Sequence, residues 1–501
     1  MWKTILSISF LVIFSSLLYL LTLRGVPGNL SASYINNELK EQAQPFELSP
    51  ERGRYTLIMA MAEYGSFELP EEIALIAMPD VGYLNEKFYT LFAPGVSVIA
   101  LPLYLLGKSL GLSQVFTYAA PALIAVFNGV LIYLLAREFK AKHWASVVSA
   151  LVFCFSTISW SYAVTLYQHH FTVFFMLLAL YGLMHFKKRK FIGYSIAWFS
   201  YAVAITLDSP NPMLLLPIMV YMLSTAINWQ LVGKKIRFNF NTSILFTSVF
   251  FAVIIGFYGY YNRINFGGWA TLSGTMPRYK EVLELSGEKT AEDIAGEKTA
   301  LTLFDARRLH RGLYTLLFSD DRGIILYTPV ILVGLIGLLS VHKKYSKEVA
   351  VVVGVIAMSL ILYGSFGDPW GGWAYGPRYL IPAMSLVSIF IAVALTEYKN
   401  IWIKLLLLLA ALYSSAIALL GSLTTNAVPP KVEAVHLQIP KYNFLLNIDY
   451  LQNDRSSSFM YNQYFNQWIS LTEYYEIILA SLFIVFSALV ILLPLFERRK
   501  S

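Results

Sequence analysis

Twelve apolar runs, each roughly 20 residues long, recur along this chain, a length that matches the ~30 Å hydrocarbon core of a bilayer. In lipid every backbone N–H and C=O must be satisfied within its own segment, so each run is expected to be a helix. The runs fall at 5–23, 115–136, 145–166, 169–186, 191–207, 212–228, 243–262, 323–341, 348–364, 379–396, 401–422 and 475–495. Only 14% of residues are charged and 57% are hydrophobic, whereas a soluble domain carries about 25% charged residues. The expected fold class is an all-α polytopic membrane protein with about 12 transmembrane helices.

The basic residues sit at the ends of these runs. With twelve spans, Lys3, Arg137/Lys140/Lys142, Lys187/Lys188/Arg189/Lys190, Lys234/Lys235/Arg237, Lys343/Lys344/Lys347, Lys399 and Arg498-Arg499-Lys500 all share one side. The positive-inside rule makes that side cytoplasmic, with both termini on it. The net charge of +8 therefore reads as an orientation signal, and no nucleic-acid partner is expected. The run 92–107 is short and carries Pro94 and Pro102. As a full span it would put Arg137, Lys140 and Lys142 outside, so it is expected to be re-entrant or interfacial.

Residues 1–23 then form a first transmembrane helix, an uncleaved signal anchor. An extracytoplasmic loop follows at 24–114, with interfacial helices and the re-entrant segment. Transmembrane helices 2 to 7 occupy 115–262 and an outer loop 263–322. Helices 8 to 11 occupy 323–422 and a third outer loop 423–474. The last helix and a basic cytoplasmic tail fill 475–501. The long loops all lie outside and would form a small outer layer. Gly-Glu-Lys-Thr-Ala occurs at 287–291 and again at 296–300, and reads as a solvated insertion. The single cysteine, Cys154, excludes an intramolecular disulfide and a cysteine metal site. No Walker motif, dinucleotide fingerprint, zinc motif or Gly-x-Ser-x-Gly is present, which argues against NTP-driven pumping.

Candidate chemistry gathers in the outer loops. Glu51-Arg52-Gly53-Arg54-Tyr55 precedes an amphipathic stretch from Thr56 to Tyr64, placing Glu51 and Arg54 at the start of an interfacial helix. The same two residues can also simply pair with each other or with lipid headgroups. Asp80, Lys87 and Tyr89 lie among Gly and Pro residues that permit tight turns. A carboxylate there can deprotonate an acceptor hydroxyl, and a lysine can neutralise a phosphate leaving group. An ordinary solvated turn is the plainer reading. Gly367-Asp368-Pro369-Trp370-Gly371-Gly372-Trp373-Ala374-Tyr375-Gly376-Pro377-Arg378-Tyr379 joins four glycines to Asp368, Trp370, Trp373 and an arginine heading a helix. Arg378 can grip a phosphate in bidentate fashion, and the tryptophans can stack on sugar or anchor at the interface. Arg322, in Ser319-Asp320-Asp321-Arg322-Gly323, heads another outer helix. His169 and His170 fall at an outer turn. Adjacent helical residues diverge by about 100°, so hydrogen bonding suits them better than joint metal ligation. Asp208-Ser209-Pro210-Asn211-Pro212 reads equally well as a helix break with a cap. Arg307-Arg308-Leu309-His310-Arg311 can meet anionic phosphate or lipid headgroups.

Several of these segments resemble polytopic glycosyltransferases of the GT-C class, which includes protein mannosyltransferases and the aminoarabinose transferase of lipid A. They are Arg54-Tyr55 to Gly65-Ser66-Phe67, Asp80 through Tyr89, Ala93-Pro94-Gly95, Asp321-Arg322-Gly323 with Tyr327-Thr328-Pro329, and Trp370-Gly371-Gly372-Trp373 through Arg378-Tyr379. The resemblance implies a hexosyl- or pentosyltransferase in the plasma or inner membrane, with its site on the extracytoplasmic face. Its partners would be a polyprenyl-phosphate sugar donor, a lipid, glycan or protein acceptor, and membrane lipids. An acidic residue of the first outer loop, Glu51 or Asp80, would act as base. Arg54, Lys87, Arg322, Arg378, His169, His170, Tyr89, Trp370, Trp373 and Asp368 would bind substrate or its phosphate. No cofactor is called for. A divalent metal is compatible with the class, but no residue is assigned to one. Many members carry an Asp-Glu or Asp-Asp pair after the first helix, whereas this chain reads Ser49-Pro50-Glu51-Arg52. Two other classes fit a polytopic protein of this kind: a lipid-linked glycan flippase and a surface-polysaccharide ligase or polymerase. The flippase predicts charges at mid-depth in the spans, and almost none are present.

Overall fold

Helices occupy every one of the expected spans. The computed structural model describes residues 2–32, 35, 46–232, 235–284 and 304–493. The Gly-Glu-Lys-Thr-Ala repeat and the Arg498-Arg499-Lys500 tail lie outside the described residues. Eight helices are long and apolar enough to cross a membrane: Trp2–Thr22, Ser113–Glu138, Lys190–Leu207, Ser243–Phe266, Ser346–Gly364, Arg378–Glu397, Ile401–Leu423 and Leu471–Leu492. The runs at 145–166, 169–186, 212–228 and 323–341 coincide with shorter apolar helices, His143–Phe155, His169–His185, Leu216–Ala226 and Ile331–Val341. One cause of shortening is local. After Phe155, the hydroxyls of Thr157 and Ser159 both donate to the Phe153 carbonyl at 2.8 Å, competing with the helical ladder. The 92–107 run becomes the helix Gly95–Ser109, with Pro102 inside it. At 1.5 Å per residue it reaches only about 22 Å.

The all-α expectation needs correcting at two places, where antiparallel hairpins form. Val81–Leu84 pairs with Lys87–Thr90, and Ile227–Val232 pairs with Lys235–Phe240. In the first, Asn85 and Glu86 take φ values of 50° and 61°, the left-handed backbone that a two-residue hairpin turn requires.

The connections gather at two ends of the bundle. At one end the basic loops meet. Lys142 N donates to Thr396 Oγ1 at 2.9 Å, the Phe139 and Tyr345 rings lie 5.1 Å apart, and Lys187 pairs with Glu348 at 2.7 Å. The other end joins 47–58, 162–168, 208, 319–322, 367–379 and 421–428, which share the contacts of the site below. His143–Phe155 leads from the first end towards the second, so the two ends are opposite poles of one bundle. Within it Arg378–Glu397 is central, with 89% of its apolar window buried, whereas Ser243–Phe266 is peripheral at 17%.

Backbones come into contact where Ile331–Val341 crosses Ile381–Glu397. A Cβ on Gly337 would lie 1.9 Å from the Phe390 carbonyl oxygen. Small residues permit such approach between apolar helices, where packing rather than water drives association. Gly337→Leu is expected to separate the pair and cost more than ~2 kcal/mol, read as a lower unfolding midpoint in detergent. Gly256→Leu, where an added Cβ meets nothing within 4 Å, is expected to leave the midpoint unchanged.

Candidate active site

The helix Ser49–Met59 is fixed at its start by Pro50 and by Glu51. One Glu51 oxygen accepts from the backbone N–H of Leu48 at 3.0 Å and from that of Glu47, two donors that a helix start leaves over. The other oxygen accepts from the Thr165 hydroxyl. Burial, and then the neighbouring Glu47 charge, push the Glu51 carboxyl above its ordinary range. Glu47 in turn pairs with buried Arg24 at 2.6 Å and accepts from Asn426 N at 2.8 Å. Glu51 thus locks the first loop to the 156–168 turn, with every oxygen engaged by protein donors.

One turn on, Arg54 points into the protein and is 2% exposed. Its Nη1 donates to the Pro50 carbonyl at 2.9 Å and its Nη2 to Gln168 Oε1 at 2.8 Å. Gln168 Nε2 donates to Asp208 Oδ2 at 2.9 Å, so Arg54, Gln168 and Asp208 form a chain. The guanidinium carbon lies 4.7 Å from the centre of the Phe92 ring. Burial lowers the Arg54 pKa to about 10 despite Asp208, and burial raises that of Asp208 despite Arg54.

Arg378 enters from the glycine-rich loop. Gly371 has φ +75°, and a Cβ there would lie 3.1 Å from Arg378 Nε, so glycine supplies both the turn and the room. The Arg378 guanidinium sits over the rings of Tyr167, at 5.6 Å, and Tyr379, at 5.5 Å. Tyr379 stacks on Tyr363 at 4.3 Å. Asp368 Oδ1 accepts from Gly371 N at 3.0 Å, and burial raises its carboxyl although Arg378 opposes this. Arg54 and Arg378 are near enough to repel each other.

Buried polar atoms are nearly always hydrogen-bonded, so a cluster of those that are not calls for water, an ion or a ligand. Four such atoms occur together here: Arg54 Nε, Arg378 Nε, Tyr167 Oη and His169 Nε2. The His169 ring stacks on Tyr167 at 6.0 Å. Two arginines with unused donors, two partly exposed carboxylates and a tyrosine wall can hold an anion and accept a proton beside it.

The other sequence-derived candidates lie elsewhere. Arg322 is fully buried and donates to four carbonyls, of Trp370, Asp321, Gly372 and Val428, at 2.9 to 3.2 Å. Asp80 accepts from the Ser49 hydroxyl and pairs with Arg278 at 3.2 Å, tying the first hairpin to the helix start. Lys87 is exposed and pairs with Glu68 at 2.7 Å. Tyr89 packs on Phe266 with ring centres 5.2 Å apart. His170 turns away from His169, its Nε2 bonded to the Ser159 carbonyl at 2.7 Å. Trp370 joins the cluster only through the carbonyl that Arg322 holds. Trp373 Nε1 donates to Glu433 at 2.6 Å. Among the described residues no group of three His, Cys, Asp or Glu side chains is placed to hold a metal. The sequence alone assigns no site role to Tyr167, Gln168 and Asp208; the available signal is a polar or aromatic side chain at a turn between apolar helices.

No protein-family model matches the chain, and no curated protein does. Among solved structures, the chain is similar to the archaeal oligosaccharyltransferase AglB from Archaeoglobus fulgidus in complex with an inhibitory peptide and a dolichol-phosphate. Identity is 13% and the TM-score 0.46, over 88% of this chain and 59% of that one. It is also similar to ArnT from Cupriavidus metallidurans bound to undecaprenyl phosphate, at 10% identity and a TM-score of 0.49, over 97% of this chain and 76% of that one. Apo ArnT gives 12% identity and the same TM-score. This chain spans about three fifths of the length of the oligosaccharyltransferase chains.

Proposed function

We propose that this protein is a GT-C-type integral membrane glycosyltransferase that moves a sugar from a polyprenyl-phosphate carrier to a lipid, glycan or protein acceptor. The observation that carries this reading is the pair of arginines with unpartnered Nε atoms, set among aromatics at the pole opposite the lysine-rich loops. With twelve spans, the positive-inside rule places that pole outside the cytoplasm. A nucleotide-free donor presented from the membrane then needs what this pole offers: fixed positive charge for a phosphate and a nearby base.

In the proposed reaction the acceptor hydroxyl gives its proton to Asp368 and its oxygen bonds to the sugar's anomeric carbon. The bond from that carbon to the phosphate oxygen breaks in the same displacement. The polyprenyl phosphate leaves with its new charge held by Arg54 and Arg378. Asp368 is chosen because it lies beside Arg378 and also lines an outer cleft of about 580 Å³ with Phe304, Arg308 and Phe366. Asp208 holds Arg54 through Gln168, and Glu51 positions the helix that carries Arg54.

Purified protein incubated with polyprenyl-phosphate-linked sugars should transfer or hydrolyse them. Saturable movement of the lipid across vesicles without bond cleavage would instead make it a flippase. Asp368→Asn is expected to lower kcat by roughly 10²- to 10⁴-fold with donor KM little changed. Asp80→Asn, at a carboxylate already paired with Arg278, should cost far less. A base must be ionised, so activity should fall as pH drops through the raised pKa of Asp368. The acid limb of the pH–rate profile is then expected above ~4, the ordinary value for Asp. Equal losses in Asp80→Asn and Asp368→Asn would move the base away from Asp368.

A further inference from the structure

The pole with the basic loops contains a feature that sugar transfer does not use. A cavity of about 270 Å³ lies between His169–His185, Lys190–Leu207, Leu216–Ala226 and Ser346–Gly364. Three lysines line it, Lys187, Lys190 and Lys347, with one carboxylate, Glu348. Glu348 Oε1 accepts from Lys187 at 2.7 Å and from the Tyr221 hydroxyl at 3.1 Å. Lys190 donates to the Thr225 carbonyl at 2.7 Å, a neutral partner that leaves its charge uncompensated. Lys347 makes no ion pair among the described residues. One carboxylate for three ammonium groups leaves the wall with a formal charge of +2.

An orientation signal needs only lysines near helix ends; it needs no cavity. Here the lysines rim a half-open cleft between helices, with Leu183, Phe186 and Gly193 also lining it. Phe191 and Ile192, next along the chain from Lys190, are exposed apolar side chains, as at a lipid-facing surface. We infer that this cavity binds the phosphate headgroup of an anionic phospholipid, with Lys187, Lys190 and Lys347 around the phosphate and the first acyl carbons against Leu183 and Phe186. A free phosphate would be drawn by the same lysines but gains nothing from the apolar wall. The volume admits a headgroup and the start of its chains, not a whole lipid.

The test is lipid retention by the full-length protein in nanodiscs of phosphatidylcholine alone or mixed with phosphatidylglycerol, read by native mass spectrometry and by the unfolding midpoint. The protein is expected to retain phosphatidylglycerol selectively and to unfold at a higher temperature when it is present. Retention should fall on the order of fivefold per lysine replaced by Gln at Lys187, Lys190 and Lys347. Lys347→Gln alone breaks no ion pair, so its effect is separable from misfolding. Lys343→Gln with Lys344→Gln removes two charges, one more than Lys347→Gln, from the adjoining loop outside the cavity and should leave retention unchanged. Equal retention of the two lipids would overturn the inference, as would equal loss in the Lys343/Lys344 variant. A midpoint shift produced in full by millimolar inorganic phosphate alone would also overturn it, pointing to a free-phosphate site.

Discussion

Arg378→Ala is expected to lower sugar transfer by about a hundred- to a thousandfold while the protein stays folded. Removing one fixed donor aimed at developing charge costs about that much in a water-poor site. The guanidinium lies over Tyr167 and Tyr379 and its Nε is unpartnered, so its loss forfeits ring contacts worth about 0.5 to 2 kcal/mol and one hydrogen bond with Tyr379. Arg378→Lys should recover only a small part of the rate. An ammonium is a point charge and cannot reproduce the planar fork that meets two phosphate oxygens at once. Steady-state kinetics with a short-chain polyprenyl-phosphate sugar, beside a thermal scan of each variant, check this. Wild-type kcat in the Arg378→Ala protein would remove Arg378 from the phosphate.

Arg322→Ala is expected to do the opposite, abolishing the fold of the pole that carries the arginines rather than a chemical step. Arg322 is as deeply buried as any side chain in the protein, yet four of its N–H groups meet backbone carbonyls. Those carbonyls belong to the 319–322 turn, the glycine-rich loop and the segment after Ile401–Leu423. One side chain therefore ties three pieces of chain together. Truncation strands buried acceptors at about 1 to 3 kcal/mol each. Several such costs approach the 5–15 kcal/mol that holds a typical protein folded. The expected result is a midpoint lowered by many degrees and rapid proteolysis near Trp370–Trp373, with activity lost as a consequence. A variant with a wild-type midpoint and no transfer would instead put Arg322 on the substrate.

The contrast between these two arginines shows how far residue types alone can be read. Both head outer helices after short acidic or glycine-rich turns, and in the sequence both look like phosphate ligands. What separates them is where carbonyls 48 to 106 residues away come to rest, and packing decides that. Eight of the twelve expected spans are helices long and apolar enough to cross a membrane, readable because an apolar run of about 20 residues leaves the backbone in lipid no alternative to a helix. The 145–166 run breaks after Phe155, where the hydroxyls of Thr157 and Ser159 compete for the Phe153 carbonyl. Glu51 was visible as a carboxylate near the membrane surface, but its role as the partner of helix-start N–H groups and of Thr165 depends on a contact across 114 residues. Asp208 was readable as a helix break. Its reach to Arg54 through Gln168 depends on three separate segments meeting, which no local pattern announces.

A structure of the protein with a short-chain polyprenyl phosphate bound tests directly whether the two arginines hold the phosphate. Phosphate oxygens are expected within hydrogen-bonding distance of Arg54 Nε and Arg378 Nε, with Asp368 facing the adjoining cleft. A phosphate bound at the lysine-lined pole alone, with both arginine Nε atoms still unpartnered, would contradict that role.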